Sequence, residues 1–343
     1  MTADIGQDYW APTDLEAVSD CPACGAPATE YRYRDLLDHL EGVPGRWNFR
    51  HCSSCDSLFL DPRPTRSAIG KAYSSDSYFT HESGAKAHAA DNGDSLAWRL
   101  ANGYLNSRFG CGRRPALSVG KWIIPLLVPI RQQLDFFYRH LPRKAGAVLD
   151  VGCGNGAFLL RAAEAGWHVQ GIEPDPAAAA QAAASGLQVH RGDVMTFTSD
   201  KAFDVITLSH VFEHLHDPQA VLTKCRQMLR PGGTLWMAMP NMEGLGHRVY
   251  GKAWFPLDPP RHLLLPSRRE LNSLCAQEGF TQVEFLRRGR SGASGMRECA
   301  ARAVALDVAS GPAWLWHVLI NILSVFSPRW SEELVVAARR DGA

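Results

Sequence analysis

Long hydrophobic runs, a surplus of one charge and an N-terminal targeting pattern are all missing from this sequence. Its opening residues, MTADIGQDYW, carry neither a basic patch nor an apolar core, so no secretory leader is expected and the cytoplasm is the expected location. The two most apolar stretches, residues 122–130 (WIIPLLVPI) and 312–326 (PAWLWHVLINILSVF), fall short of the roughly 20 residues a spanning helix needs. Buried core is the expectation for both; contact with a membrane surface is the other reading. With 36 Lys and Arg against 35 Asp and Glu, the formal net charge is +1, which says little by itself. Internal repeats and low-complexity tracts are absent too.

What is present is an ordinary globular composition, 45% hydrophobic over 343 residues, which supplies enough apolar surface for a substantial core. The charge is unevenly spread. Between Arg99 and Lys144 there are nine Lys and Arg and a single acid, Asp135, so this stretch is expected to attract anions. Nine cysteines without an export signal read as thiols and metal ligands rather than disulfides. CPAC and HCSSC place Cys21, Cys24, Cys52 and Cys55 in two Cys-x2-Cys pairs separated by 27 residues, the spacing of a structural zinc site. Four protein ligands leave no open position for water, so a catalytic zinc is not expected there.

The texture of the chain divides it into three. Residues 1–75 are rich in Cys, Pro and turn signals and read as a zinc-ribbon-like module with short strands at RWNFRHC and SLFL. Residues 76–145 read as a mostly helical lid or linker. From 146 to 343, short apolar strands alternate with helical segments, as in βαβ units with a parallel sheet. An apolar helical insertion at about 291–330 separates two last strand candidates, TQVEFLRRG and ELVVAARR.

In VLDVGCGNGAF, residues 148–158, Gly152, Gly154 and Gly156 fall where the first strand turns into its helix. Lacking Cβ atoms, they let the chain bend sharply and let a ligand touch backbone. The spacing is G-x-G-x-G rather than G-x-G-x-x-G, and Asp150 precedes it; a carboxylate there repels a pyrophosphate and suits a cation. Glu173 ends the next strand, where a carboxylate accepts both hydroxyls of a ribose. Asp193, in RGDV, is placed to accept from an exocyclic amine. A ribose, an amino-purine and a positive charge together describe S-adenosylmethionine.

VLDVGCGNGAF, GIEPDP, RGDV, FDVITLSHVFEHLHDP, LRPGGTLWMAMPN and DPPRHLLLPS follow one another as the motifs of the class I S-adenosylmethionine-dependent methyltransferases do, and the chain resembles that family over residues 146–290. The resemblance implies an α/β fold with a Rossmann-like seven-stranded sheet closed by an antiparallel hairpin. It implies that Gly152 and Gly154 approach the methionine part, with Cys153 and Asn155 in the same cofactor-binding turn, and that Glu173, followed by Pro174, holds the ribose; Cys153 is expected to be packing rather than a nucleophile. It also implies that Asp193 faces adenine with Val194 or Met195 on the ring, and that Ser209 and His210 line the cofactor. Asp150 is expected to order the glycine loop. Similar zinc-bearing modules precede sugar C-methyltransferases, but the long C-terminal domain of those enzymes is missing, so their substrate does not carry over.

Transfer from a sulfonium needs chiefly alignment of the acceptor and removal of its proton. His210, Glu213 and His214 stand at i, i+3 and i+4, which on a helix is one face, so they are candidates for a base or a divalent-metal site. The alternative is that they order their loop by ordinary helix-surface pairing. Some quinone-biosynthetic O-methyltransferases that this segment resembles use a Glu, Glu, His metal set, and His210 departs from it. His262 is the other candidate base, with Arg261 beside it to clamp a phosphate or carboxylate; a structural Arg-His pair is the plainer reading. Tyr78, His81, His247 and Trp254 are weaker candidates for acceptor contacts.

The expected activity is methylation, on oxygen before carbon or nitrogen, of a small or carrier-linked and anionic acceptor. A nucleic-acid or protein methyltransferase that grips its substrate with the zinc module and the basic stretch 99–144 is the alternative. Against it, the Asn-Pro-Pro-aromatic motif used on planar amines is absent, MPNMEG standing instead, and basic and aromatic residues are not interleaved. The intact acids at 150, 173 and 193 speak against a non-catalytic cofactor binder.

Overall fold

A computed structural model describes residues 9–27, 30–73, 93–288, 293–308 and 310–342. Tyr78 and His81 lie outside the described residues. Besides a short antiparallel pair, Leu15–Glu16 with Arg63–Pro64, the N-terminal part holds three strands: β1 (Glu30–Leu36), β2 (Trp47–His51) and β3 (Leu58–Leu60). Helices α1 (Leu96–Phe109) and α2 (Val128–Phe137) follow. The alternating part then runs β4 (Ala147–Val151), α3 (Ala157–Glu164), β5 (His168–Glu173), α4 (Pro176–Ala184), β6 (Val189–Arg191), β7 (Phe203–Ser209), α5 (Pro218–Met228) and β8 (Leu229–Pro240). After α6 (Leu245–Tyr250) come β9 (Leu264–Leu265), α7 (Arg268–Gln277), β10 (Phe280–Leu286), α8 (Ala293–Ala305), α9 (Ala313–Phe326) and β11 (Glu333–Arg340).

Seven strands form one sheet in the order β10-β11-β8-β7-β4-β5-β6. Neighbours from β8 to β6 pair in parallel, and β11 alone runs against both of its neighbours. This is the Rossmann-like methyltransferase sheet with its closing antiparallel pair. The strand order reverses between β4 and β7, so their carboxyl ends open a crevice where ligands bind in such sheets. Local chemistry sets the helix starts beside that crevice. Asp175 caps α4 by accepting from Ala177 and Ala178 amides, each at 3.2 Å, and Asp217 caps α5 by accepting from Ala220 at 2.9 Å. Each cap contributes about 1 kcal/mol.

One hydrophobic core joins the cysteine corner to the sheet: Cys21, Cys52, Cys55 and Phe59 pack in the same cluster as Leu208, Phe212, Met239 and Leu264. The joint is also made of backbone. β9 pairs antiparallel with β3, so a segment from the methyltransferase half completes the four-stranded N-terminal sheet β9-β3-β2-β1. Ser267 clamps the same joint, its hydroxyl donating to the Cys55 carbonyl at 2.5 Å. On the other side, α1 and α2 cover the sheet through Leu105, Phe109, Leu134 and Tyr138, which pack against Val148, Leu159 and Trp167.

Candidate active site

The glycine turn follows β4 at the crevice. Gly152, Gly154 and Gly156 have φ values of +68°, +52° and +80°, which L side chains rarely adopt. A Cβ on Gly152 would collide with Val211 Cγ2, so the turn packs directly against the segment that follows β7. Glu173, at the end of β5, folds over this turn: Gly154 N donates to its Oε2 at 2.7 Å and Asp175 N to its Oε1 at 2.9 Å. Burial pushes the Glu173 carboxyl up while these two amides oppose the shift. Two such bonds leave a carboxylate free to accept more, as a ribose diol requires.

Asp193 is exposed, and its Oδ1 accepts from Met195 N at 2.7 Å. Of the two residues expected beside a purine, Val194 is buried in the sheet core and Met195 is 44% exposed. Asn155 accepts from Ala157 N at 3.2 Å and orders the start of α3. Pro174 is exposed, and Ser209 closes β7 opposite Ala238. Cys153 is buried against Gly171, and burial raises its thiol far above the range of a nucleophile. The residues present thus fit an adenosyl cation: bare backbone at the turn and carboxylates at 173 and 193.

Asp150 is completely buried and shares Cα register with Thr207 across β4 and β7. Arg139 Nη1 donates to the Asp150 carboxylate and also to Thr207 Oγ1 at 2.7 Å, while the Thr207 hydroxyl reaches Asp150 Oδ1 at 3.0 Å. Burial pushes the Asp150 carboxyl up, and Arg139 and Thr207 work against that shift. Arg139 was invisible as a site residue because it reads as one more cation of the basic stretch. That stretch is partly consumed inside the fold. Arg113 pairs with Glu164 at 2.8 Å, and Arg108 donates to the Leu141 carbonyl at 3.3 Å.

Residues 210–214 depart from the expected single helix face. His210 sits at φ 54°, outside helical backbone, and only Phe212–His214 form a short 3-10 turn before α5 starts at Pro218. His210 lies between two acids, its Nδ1 3.2 Å from Glu213 Oε1 and its Nε2 3.2 Å from Glu333 Oε1. Burial opposes a charge on His210, but the two carboxylates outweigh it and raise the imidazole to about 10. His210 is exposed at the rim of the crevice, where the two carboxylates favour its charged form.

Three other ligand atoms come together instead. Glu213, His214 and His262 each offer one atom within 4.8 Å of the others. The His262 Nδ1 is 2.7 Å from the Pro256 carbonyl, and the His214 Nδ1 is 2.9 Å from both the Arg261 carbonyl and the Tyr73 hydroxyl. The carbonyls fix the proton of each ring on Nδ1 and leave each Nε2 with its lone pair. Burial and the neighbouring His262 push His214 down to about 4. Glu213 is buried, and its Oε2 has no hydrogen-bond partner among the described residues.

Arg261, His247 and Trp254, also expected at the acceptor, have partners within the fold. Arg261 is fully buried and makes four bonds to Asp38 and Asp258, between 2.6 and 3.0 Å, which close the loop. His247 uses both ring nitrogens, toward the Met242 carbonyl at 2.5 Å and the Tyr33 hydroxyl at 2.9 Å. Trp254 is buried in the core under it, and its indole donates to Glu332 at 2.9 Å. In the N-terminal corner, Cys21 and Cys55 sulfurs are 3.6 Å apart, as are those of Cys24 and Cys52, and all four lie within 4.8 Å of one another.

Known proteins match this chain over the same region. The profile of the methyltransferase domain family covers residues 129–284. The ubiquinone biosynthesis O-methyltransferase of Aromatoleum aromaticum is 31% identical over 174 residues, which span 46% of this chain and 73% of that relative. The chain belongs to the class I S-adenosylmethionine-dependent methyltransferases. Enzymes of the same name from Xylella fastidiosa and Haemophilus ducreyi are 32% and 33% identical, and the match spans 49% and 55% of their length. This methyltransferase therefore spans about half the length of those two curated relatives. Among solved structures, an S-adenosylmethionine-dependent methyltransferase from Archaeoglobus fulgidus is similar at 18% identity and TM-score 0.42, covering 63% of this chain and 94% of that one.

Proposed function

We propose that the methyltransferase methylates a hydroxyl oxygen of a small or carrier-linked biosynthetic acceptor, with His262 as the general base. The observation that carries this reading is the Glu213, His214 and His262 corner, set beside the glycine turn by the Val211–Gly152 contact. When bound, S-adenosylmethionine supplies an activated methyl group on a sulfonium. Asp193, Glu173 and the amides of the glycine turn would hold its adenosyl and methionine parts. His262 Nε2 carries the lone pair that would take the acceptor proton, with Glu213 Oε1 and Asp258 Oδ2 at 4.0 and 3.9 Å beside it. The curated relatives named as O-methyltransferases support oxygen as the acceptor atom.

The same corner favours a second role: two imidazoles and a carboxylate suit a divalent cation, which would lower the pKa of an acceptor hydroxyl bound to it. Transfer of labelled methyl groups to a panel of phenols, catechols and alcohols, run with and without a chelator, tests both. Turnover that survives the chelator supports His262 as the base, and turnover that needs added cation supports the second role. Labelling of RNA or protein in place of every small hydroxyl compound would overturn the reading.

The four-cysteine corner is proposed to hold structural zinc. Its four sulfurs leave no open coordination position, and its packing into the sheet core makes the metal part of the fold rather than of the chemistry.

A further inference from the structure

The hairpin of α8 and α9 leaves an apolar face that no described element covers. Helix α9 has no charged residue in its 14 positions, and Trp314, Val318, Ile322 and Phe326 are 68%, 46%, 52% and 70% exposed. Spacing by four stacks these side chains along one side of the helix. The opposite side is anchored by buried Ile320 and Ser324, so the stripe faces outward by construction. A second apolar group precedes α2, where Trp122 and Leu126 are 70% and 81% exposed. The two helices touch where Gln132 Nε2 donates to the Val325 carbonyl at 3.4 Å, and Phe326 and Arg131 line one cavity of about 640 Å³. Soluble proteins seldom leave so many large apolar side chains together without a partner.

Cations frame this face. Lys121 adjoins Trp122 and Arg329 follows the end of α9, both exposed, while Arg131 and Arg287 line the cavity. The buried Arg131 Nε has no hydrogen-bond partner among the described residues. The acids of the cavity, Glu284 and Asp135, balance Arg131 and Arg287, so the surplus positive charge of this face comes from Lys121 and Arg329. A two-fold pairing of this face with a second copy would set those cations against their own counterparts. An anionic lipid surface neutralises them instead, and Trp and Phe are side chains that settle at a bilayer interface.

We propose that this face docks the protein on an anionic membrane surface, with the α9 stripe and Trp122 in the interface and the cations on lipid phosphates. No described helix is long and apolar enough to cross a membrane, and α9 is about 21 Å long at 1.5 Å per residue, so it lies along the surface. The docking does not depend on the acceptor chemistry above.

Co-sedimentation of the full chain with vesicles of phosphatidylcholine alone, or mixed with phosphatidylglycerol, tests it. The expected result is binding at least tenfold stronger to the anionic vesicles and weakened by salt. The triple variant Trp314→Ser, Ile322→Ser, Phe326→Ser should lose vesicle binding and keep its affinity for S-adenosylhomocysteine. The double variant Lys121→Glu, Arg329→Glu, which leaves the helix intact, should lose the anionic preference and stands in if the triple variant does not fold. Wild-type protein that ignores both vesicles overturns the proposal, and so does a dimer that these substitutions dissociate without any vesicle binding.

Discussion

His262 Nε2 stands 4.0 Å from Glu213 Oε1 and 3.9 Å from Asp258 Oδ2, while its Nδ1 is held 2.7 Å from the Pro256 carbonyl. The ring is thereby fixed in one tautomer, with two carboxylates beside its other nitrogen. His262→Gln should lower kcat by about 10²–10⁴-fold, the usual contribution of a positioned base. Affinity for S-adenosylhomocysteine should stay within about twofold, because the histidine does not hold the cofactor. A variant with unimpaired turnover would remove His262 as the base.

Asp193 is assigned to the adenine amine. Asp193→Ala should weaken cofactor binding by about 1–3 kcal/mol through loss of a charge-assisted hydrogen bond. Titration calorimetry that finds unchanged affinity would remove this role.

Arg139 neutralises a carboxylate buried under the sheet. Arg139→Met should cost about 3–5 kcal/mol of folding stability, since it leaves Asp150 charged and uncompensated. Adding Asp150→Asn should return a large part of that loss in urea denaturation. Equal stability of wild type and Arg139→Met would show that the pair carries no such weight.

His140 predicts acid sensitivity. Trp236 Nε1 donates to His140 Nδ1 at 3.2 Å, which requires that nitrogen unprotonated, and burial together with Arg108 and Arg288 pushes the histidine down to about 4. The folded chain therefore disfavours the protonated ring that the unfolded chain adopts below about 6.5. Stability should be unaffected by this group above that pH and should fall as pH drops from about 6.5 to about 4. His140→Asn suits the φ of 53° and should flatten that part of the curve. A parallel pH profile in wild type and variant would contradict the assignment.

The cysteine corner predicts metal. Cys52→Ser should lose zinc by atomic absorption and lower the melting temperature, because the corner shares its core with the sheet. Full metal content in a normally stable variant would refute the site.

The sheet, the glycine turn and its acids were legible because strand alternation and backbone chemistry are local in sequence. What escaped was set by distant contacts or by single dihedral angles. Arg139 meets Asp150 only because residues 139 and 140, at φ 45° and 53°, turn the chain under the sheet. Tyr73 reaches His214 from 141 residues away, in a segment with no motif of its own. The left-handed φ of His210 broke the assumed helix face and exchanged His210 for His262 in the cluster. Arg261 read as a ligand clamp because its partner Asp38 lies 223 residues away.

The claim on which the rest stands is that the turn at Gly152–Gly156, with Glu173 and Asp193, receives an adenosyl cation. Isothermal titration of the purified protein with S-adenosylmethionine, S-adenosylhomocysteine and NAD tests it most directly. The expected result is one site per chain for each of the first two and no heat with NAD. Binding of NAD with silence toward both adenosyl ligands would contradict the account.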